Sequence, residues 1–298
     1  DRRKFITTTG MGAASFAIGT SALAPLLSSC TKNKETGQGF DEFLSYDALG
    51  LASLIKQGEI SPTELIHIVI RRIEAMEENI NALTTRTFER ALNNAKNISA
   101  DTRFAGVPIL MKDMIDIQGI PRTDGSRLLQ HNVANKTVDY VKAVEKSGLI
   151  ILGMTNVPEF TTTALTDNDL FGPTHNPWNL DYSCNGSSGG AAAAVAAGYL
   201  PLVHGTDGGG SCRLPASACH LLGMKPSRHR MLSGELNGGH DMFKTNQSIS
   251  RTVRDNAALF HETQDCSQKF YTPEKLIEFP IKRRLKIGYI PNGVKEFP

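Results

Sequence analysis

The sequence lacks an excess of charge of either sign: its 298 residues hold 32 Lys and Arg against 30 Asp and Glu, a formal net charge of +2. So even a balance leaves no chain-wide electrostatic footprint for nucleic acid, and none is expected as a partner. The densest basic run, KRRLK at 282–286, reads as a solvated edge ahead of a strand. No Cys-x-x-Cys pair and no His-rich spacing occurs, so neither a metal nor another cofactor is expected. Cys184, Cys212, Cys219 and Cys266 read as buried thiols, and four cysteines allow three pairings among which spacing does not choose. Internal repeats are absent, and so is any apolar run long and pure enough to cross a membrane. With 40% hydrophobic and 21% charged residues, the chain reads instead as globular, with one large core or two modest ones.

The first thirty residues, DRRKFITTTGMGAASFAIGTSALAPLLSSC, stand apart. A charged start, a mildly apolar middle and a small-residue end form an export signal. Arg2 and Arg3, followed by Lys4, Phe5 and Ile6, resemble a twin-arginine signal, and LSSC at 27–30 resembles a bacterial lipoprotein box. That resemblance implies lipidation of Cys30, a periplasmic or membrane-anchored location, and a membrane partner through the anchor. The division expected is a signal at 1–30, a polar tether at 31–44 carrying TKNKETGQG, and one main domain from 45 to 298.

Within that domain the patterning alternates between helix and strand. ISPTELIHIVIRRIEAMEENI has Ser61 as N-cap, Pro62 at the first helical position and Glu64 three after the cap, with Leu65, Ile66, Val69, Ile70, Ile73 and Met76 on one face. His67 on this helix reads as a packing or surface residue. AGVPILMKDMIDIQGIP reads as a short apolar strand and turn, and DYVKAVEKSGLIILGMTNVPEF as a helix, a stop at Gly148 and a buried strand. FGPTHNPWNLDYSCNGSSGG reads as a long loop, and GGAAAAVAAGYLPLVHGTD as a small-residue helix from about 190, a stop at Gly198 and a strand at 199–204. The class is α/β.

The chemistry concentrates in GTDGGGSCRLPAS at 205–217. Glycines leave main-chain N–H groups unshielded, so Gly208, Gly209, Gly210 and Ser211 are expected to form an anion-binding nest, an oxyanion hole once a nucleophilic oxygen sits at its rim. His204 and His220 lie in apolar surroundings and are not obvious bases for Ser211. Lys112, alone in PILMKDMIDI, is the better candidate, because desolvation makes a neutral amine accessible.

GVPILMKD at 106–113, GMTNVPEF at 153–160, FGPTHNPWN at 171–179, GSSGGAAAAVAAG at 186–198, GTDGGGSCRLPAS and GMKPS at 223–227 together resemble the amidase signature hydrolases over roughly residues 45–265. The resemblance implies a three-layer α/β/α fold around a mixed sheet, truncated at the C-terminus. It further implies a Ser-Ser-Lys triad of Ser211 as nucleophile, Ser187 as bridge and Lys112 as base, with a cis peptide between Gly186 and Ser187. The expected reaction is hydrolysis of a small-molecule amide through an acyl-enzyme. Lys112 must then be neutral and Asp113 and Asp116 must point away from it, while Asp207 and Arg213 pair, and Ser188 supports the site without reacting. Gly208, Asn185 and His220 depart from the family's usual residues, a larger side chain at the first and glycine at the other two. Rival readings are an α/β-hydrolase elbow at Ser188, which would need a strand directly before it, a Cys212 thiol nucleophile, an inactive binding-only protein and a tRNA-dependent amidotransferase A-type subunit.

Overall fold

The computed structural model describes residues 43–235, 243–268, 272–273, 284 and 286. The expected signal, Cys30 and all but the last two residues of the tether lie outside the described residues, as does nearly all of the strand expected around and after KRRLK.

Asp47 caps helix α1 (Ala48–Lys56), its carboxylate accepting the Gly50 N–H at 2.8 Å. Helix α2 (Pro62–Ile80) starts in the expected capping box: the Ser61 hydroxyl accepts the Glu64 N–H and the Glu64 carboxylate accepts the Ser61 N–H. Leu65, Ile66, Val69 and Ile73 are buried, Ile70 and Met76 pack half-buried against the same core, and His67 is exposed. Strand β1 (Leu83–Arg86), helix α3 (Phe88–Ala95), strand β2 (Pro108–Lys112), helix α4 (Asp139–Lys146) and strand β3 (Ile150–Thr155) follow. β1 pairs antiparallel and β2 parallel with β3, so the sheet is mixed, and Lys112 at the end of β2 stands opposite Thr155. Every residue of β2 and β3 is buried, which is why both read as unbroken apolar runs rather than alternating ones.

The segment expected as one long loop carries a two-stranded antiparallel ribbon, β4 (His175–Asn176) and β5 (Asn179–Ser183). Nearly all of β5 is exposed, so no buried face imprints an alternation on its sequence. Helix α5 (Gly189–Ala196) ends before Gly198, whose φ of 72° turns the chain into strand β6. That strand spans Leu202–Asp207 rather than 199–204. The Tyr199 N–H still bonds back to the helix at Ala194, and pairing continues through Thr206 and Asp207 to the very edge of the glycines.

Helix α6 (Arg213–Ala218), strand β7 (Leu222–Gly223), strand β8 (Thr245–Ser250) and helix α7 (Val253–Thr263) complete the described elements. β6, β8 and β7 form an antiparallel sheet with β8 in the middle. β2 of the first sheet lies beside β6 of the second, and α5 packs on β2, β3, β6 and β8 together. Its small residues allow that approach: a Cβ on Gly190 would sit 2.5 Å from the Asn156 nitrogen and 2.6 Å from the Ala82 oxygen. No helix among the described residues is long and apolar enough to cross a membrane.

Candidate active site

Strand β2 delivers Lys112 into the seam between the two sheets, where the side chain is fully buried. Its Nζ lies 2.8 Å from the Ser187 Oγ and 3.0 Å from the Thr206 Oγ1, and the Thr206 hydroxyl in turn donates a hydrogen bond to the Met114 Sδ at 3.1 Å. Burial pushes the amine from its ordinary 10.5 down to about 7. Asp207 and Asp124 pull the other way, yet the two nearest carboxylates in sequence are occupied elsewhere. Asp113 accepts the N–H and hydroxyl of Thr123 at 2.8 and 2.6 Å, and Asp116 pairs with Arg122 at 2.8 Å.

Ser187 reaches the amine from the loop ahead of α5, through a cis peptide with Gly186, and is 2% exposed. Its neighbour Ser188 is fully buried. The Ser188 N–H donates to the Ser211 carbonyl at 3.1 Å, and its hydroxyl donates to the Thr206 carbonyl at 3.3 Å. Ser188 therefore ties the serine loop to β6. It is no elbow nucleophile, since β5 ends at Ser183 and the hydroxyl faces the strand instead of solvent.

After β6 the chain turns through Gly208–Gly210, with Gly210 at φ 130°, and presents Ser211 partly exposed. Asp207 organises this turn. Its carboxylate accepts the N–H groups of Gly210, Cys212 and Arg213 at 2.7, 3.2 and 3.3 Å and a two-pronged contact from the Arg213 guanidinium at 2.9 and 3.0 Å. Burial alone would raise the Asp207 pKa, but Arg213 and the three N–H groups hold it below the usual carboxylate value. The expected nest needs one correction. The Gly210 N–H is committed to Asp207, so the candidate oxyanion donors narrow to Gly208, Gly209 and Ser211, whose N–H groups carry no hydrogen bond among the described residues. Cys212 is fully buried and its thiol is pushed up to about 12, mainly by burial, which leaves it unreactive. The Ser211 hydroxyl makes no hydrogen bond among the described residues, so the contact from Lys112 extends to Ser187 and stops there.

The three departures from family pattern acquire physical meaning. Asn185 and His220 hold φ of 60° and 58°, the left-handed region where glycine is otherwise favoured. A Cβ at 208 would sit 2.7 Å from the Phe243 carbonyl oxygen, too close for a larger residue unless the segment ahead of β8 moves. Thr206 is not singled out by any motif, and His204, unsuited as a base for Ser211, instead lies against Lys112. One available signal was their spacing of two on a strand, which puts both on the face of β6 that meets Lys112. Asn246, on the polar strand β8, carried no signal. Among the described residues no cluster of His, Cys, Asp and Glu could hold a metal. A cavity of about 570 Å³ lined by Glu74, Glu77, Glu78, Arg86 and His175 includes none of Lys112, Ser187 and Ser211.

Residues 64–296 match the Amidase family. The chain is 39% identical over 219 residues to the 6-aminohexanoate-cyclic-dimer hydrolase of Pseudomonas sp. (strain NK87), covering 72% of this chain and 44% of that one. It is 36% identical over 219 residues to the acylamidase of Rhodococcus erythropolis, covering 71% and 46%. Among solved structures, a bacterial aryl acylamidase of the amidase signature enzymes superposes with a TM-score of 0.69 at 35% identity, over 74% of this chain and 47% of that one. The chain spans about half the length of the curated relatives it matches.

Proposed function

Because the chain belongs to the Amidase family, we propose that it hydrolyses a small-molecule carboxylic amide through an acyl-enzyme on Ser211, with Ser187 and Lys112 completing a Ser-Ser-Lys triad. The observation that carries this reading is a fully buried lysine amine 2.8 Å from the Ser187 hydroxyl, beside a glycine turn that presents a second serine. An amine titrating near 7 is largely free to accept a proton at neutral pH, which an ordinary lysine is not.

In this mechanism Ser211 Oγ attacks the amide carbonyl while its proton passes to Ser187 and the Ser187 proton passes to Lys112. The carbonyl oxygen becomes an oxyanion facing the N–H groups of Gly208, Gly209 and Ser211; such a donor is typically worth about 3 kcal/mol in the transition state. The proton held by Lys112 returns along the same relay to the leaving amine. Water then attacks the acyl-enzyme and releases the acid, with the same three groups acting in reverse. Closure of the relay requires the Ser211 hydroxyl to come within hydrogen-bond reach of Ser187. Asp207 and Arg213 keep the turn in shape and take no part in proton transfer.

The sequence of residues 1–30 supports export and lipidation at Cys30. Metabolic labelling with an alkyne fatty acid, lost in Cys30→Ala, tests that part alone.

The test of the amidase reading is labelling of the chain with a fluorophosphonate, followed by peptide mass spectrometry. An adduct on Ser211, lost in Lys112→Ala, is expected. A folded chain that takes no label would favour a binding-only protein on the same fold.

A further inference from the structure

We infer that His204 is a positioning residue for Lys112, clamping the lysine by its main chain while Ser187 and Thr206 hold its amine. The inference rests on the amidase reading above. His204 and Thr206 lie two apart on β6 and both turn toward β2. Thr206 meets Lys112 at Nζ, 3.0 Å away, and His204 meets the same residue at its other end, the main-chain N–H donating to the His204 Nδ1 at 3.1 Å.

The second contact dictates the state of the ring. A nitrogen that accepts a hydrogen bond carries no proton, so the proton sits on Nε2, where the Asn246 Oδ1 accepts it at 3.3 Å. The Asn246 amide is oriented in turn by its Nδ2 donating to the Leu232 carbonyl at 3.4 Å. His204 is fully buried, with the Tyr140 ring 5.1 Å from its own. Burial keeps the imidazole neutral down to about 3, so the clamp holds throughout the range in which Lys112 titrates. The charged and titratable groups around that amine are Asp207 on β6, Asp124 in the loop after β2, Lys244 ahead of β8 and the Cys212 thiol; the imidazole adds no charge to them.

With the main chain of β2 clamped, the amine is presented to Ser187 from a fixed origin and shielded from water by the strand beside it. Without the clamp, the Lys112 N–H would be a buried donor lacking its acceptor, and the strand end would shift to satisfy it.

The experiment measures the rate of fluorophosphonate labelling of Ser211 against pH, from about 5.5 to 9.5, in the full chain and in His204→Asn and His204→Leu, with folding checked by circular dichroism. The Asn variant places an amide oxygen near the position of Nδ1; the Leu variant has no acceptor. The wild-type rate is expected to rise through an inflection near 7, where Lys112 loses its proton. His204→Leu is expected to label at least about tenfold more slowly. Its inflection is expected to move up by about one pH unit, because an unclamped amine takes on water. His204→Asn is expected to restore both. A folded His204→Leu with the wild-type rate or an unmoved inflection would overturn the inference, as would equal loss in both variants, which marks packing alone. A wild type that takes no label would overturn the amidase reading and this inference with it, so the two failures are distinguishable. Should neither variant fold, nitrogen NMR of the wild-type ring decides: a fixed Nε2–H tautomer supports the clamp, and a ring that titrates between about pH 5 and 8 or carries its proton on Nδ1 overturns it.

Discussion

Replacing Lys112 by Met is expected to stabilise the folded chain at neutral pH while abolishing labelling of Ser211. The unfolded chain holds this lysine in water, where it titrates at its ordinary 10.5, whereas burial lowers it to about 7 in the fold. Between those two values the unfolded state binds more protons than the folded state, so this residue makes stability rise with pH from about 7 and level off near 10.5. Below about 7 both states are protonated and the full penalty applies, about 5 kcal/mol from the gap between the two values. The residual penalty is about 4 kcal/mol at pH 7.5 and about 1 to 2 kcal/mol at pH 9.5 by the same linkage. Methionine removes this penalty but forfeits the contacts to Ser187 and Thr206, about 1 kcal/mol each and independent of pH. The variant should therefore be more stable by about 2 kcal/mol at pH 7.5 and lose that advantage by pH 9.5. Urea unfolding of both proteins at the two pH values, with equal m-values, reads the difference directly. The change in that difference between the two pH values is about 2 to 3 kcal/mol, and the contributions of groups that Lys112 does not influence cancel from it. Two proteins whose stabilities track each other with pH within about 0.5 kcal/mol would refute the buried, readily deprotonated lysine on which the mechanism depends.

Asp207→Ala leaves three main-chain N–H groups without their acceptor and Arg213 without its partner, so a loss of at least about 3 kcal/mol by urea unfolding and no labelling of Ser211 are expected. Arg213→Lys removes only the two-pronged contact on a half-exposed side chain; Tm should hardly change while the labelling rate falls several-fold. Gly190→Ala drives a methyl against the main chain of Asn156 and Ala82, and calorimetry should show a net destabilisation of about 1–3 kcal/mol despite alanine's better helix propensity. Cys184, Cys212 and Cys219 are buried as expected but Cys266 is exposed, contrary to the expectation of four buried thiols, so native alkylation at pH 8 should modify Cys266 and spare the other three. Rapid modification of Cys212 would contradict the raised thiol at that position.

How far the sequence could be read depended on whether a residue's environment was local. The capping box at Ser61 was legible because its partners lie three residues apart, as were the stop at Gly198 and the apolar runs of β2 and β3. The ribbon of β4 and β5 was not, since its pairing is main chain to main chain and its faces meet solvent. β8 escaped notice for the opposite reason. Its residues TNQSIS are polar apart from Ile249 yet all buried, because β6 runs along one edge, β7 pairs with Ile249 and Ser250 on the other, and α5 and α7 pack on the strand.

The sequence by itself determined the α/β class, the family motifs and the types of the candidate reacting groups, a lone lysine in an apolar strand and serines beside glycines, since each of these is written in contiguous residues. The tertiary structure alone decided which of those groups meet. Lys112, Ser187 and Thr206 are separated by 75 and 94 positions from the lysine outward, yet they converge within 3.0 Å. Only there could it emerge that Gly210 serves Asp207 instead of an oxyanion, and that His204 grips a main-chain N–H. The physical reason is that a hydrogen bond and a desolvated charge depend on what lies within a few ångströms, and that neighbourhood is created by packing two sheets and a small-residue helix together.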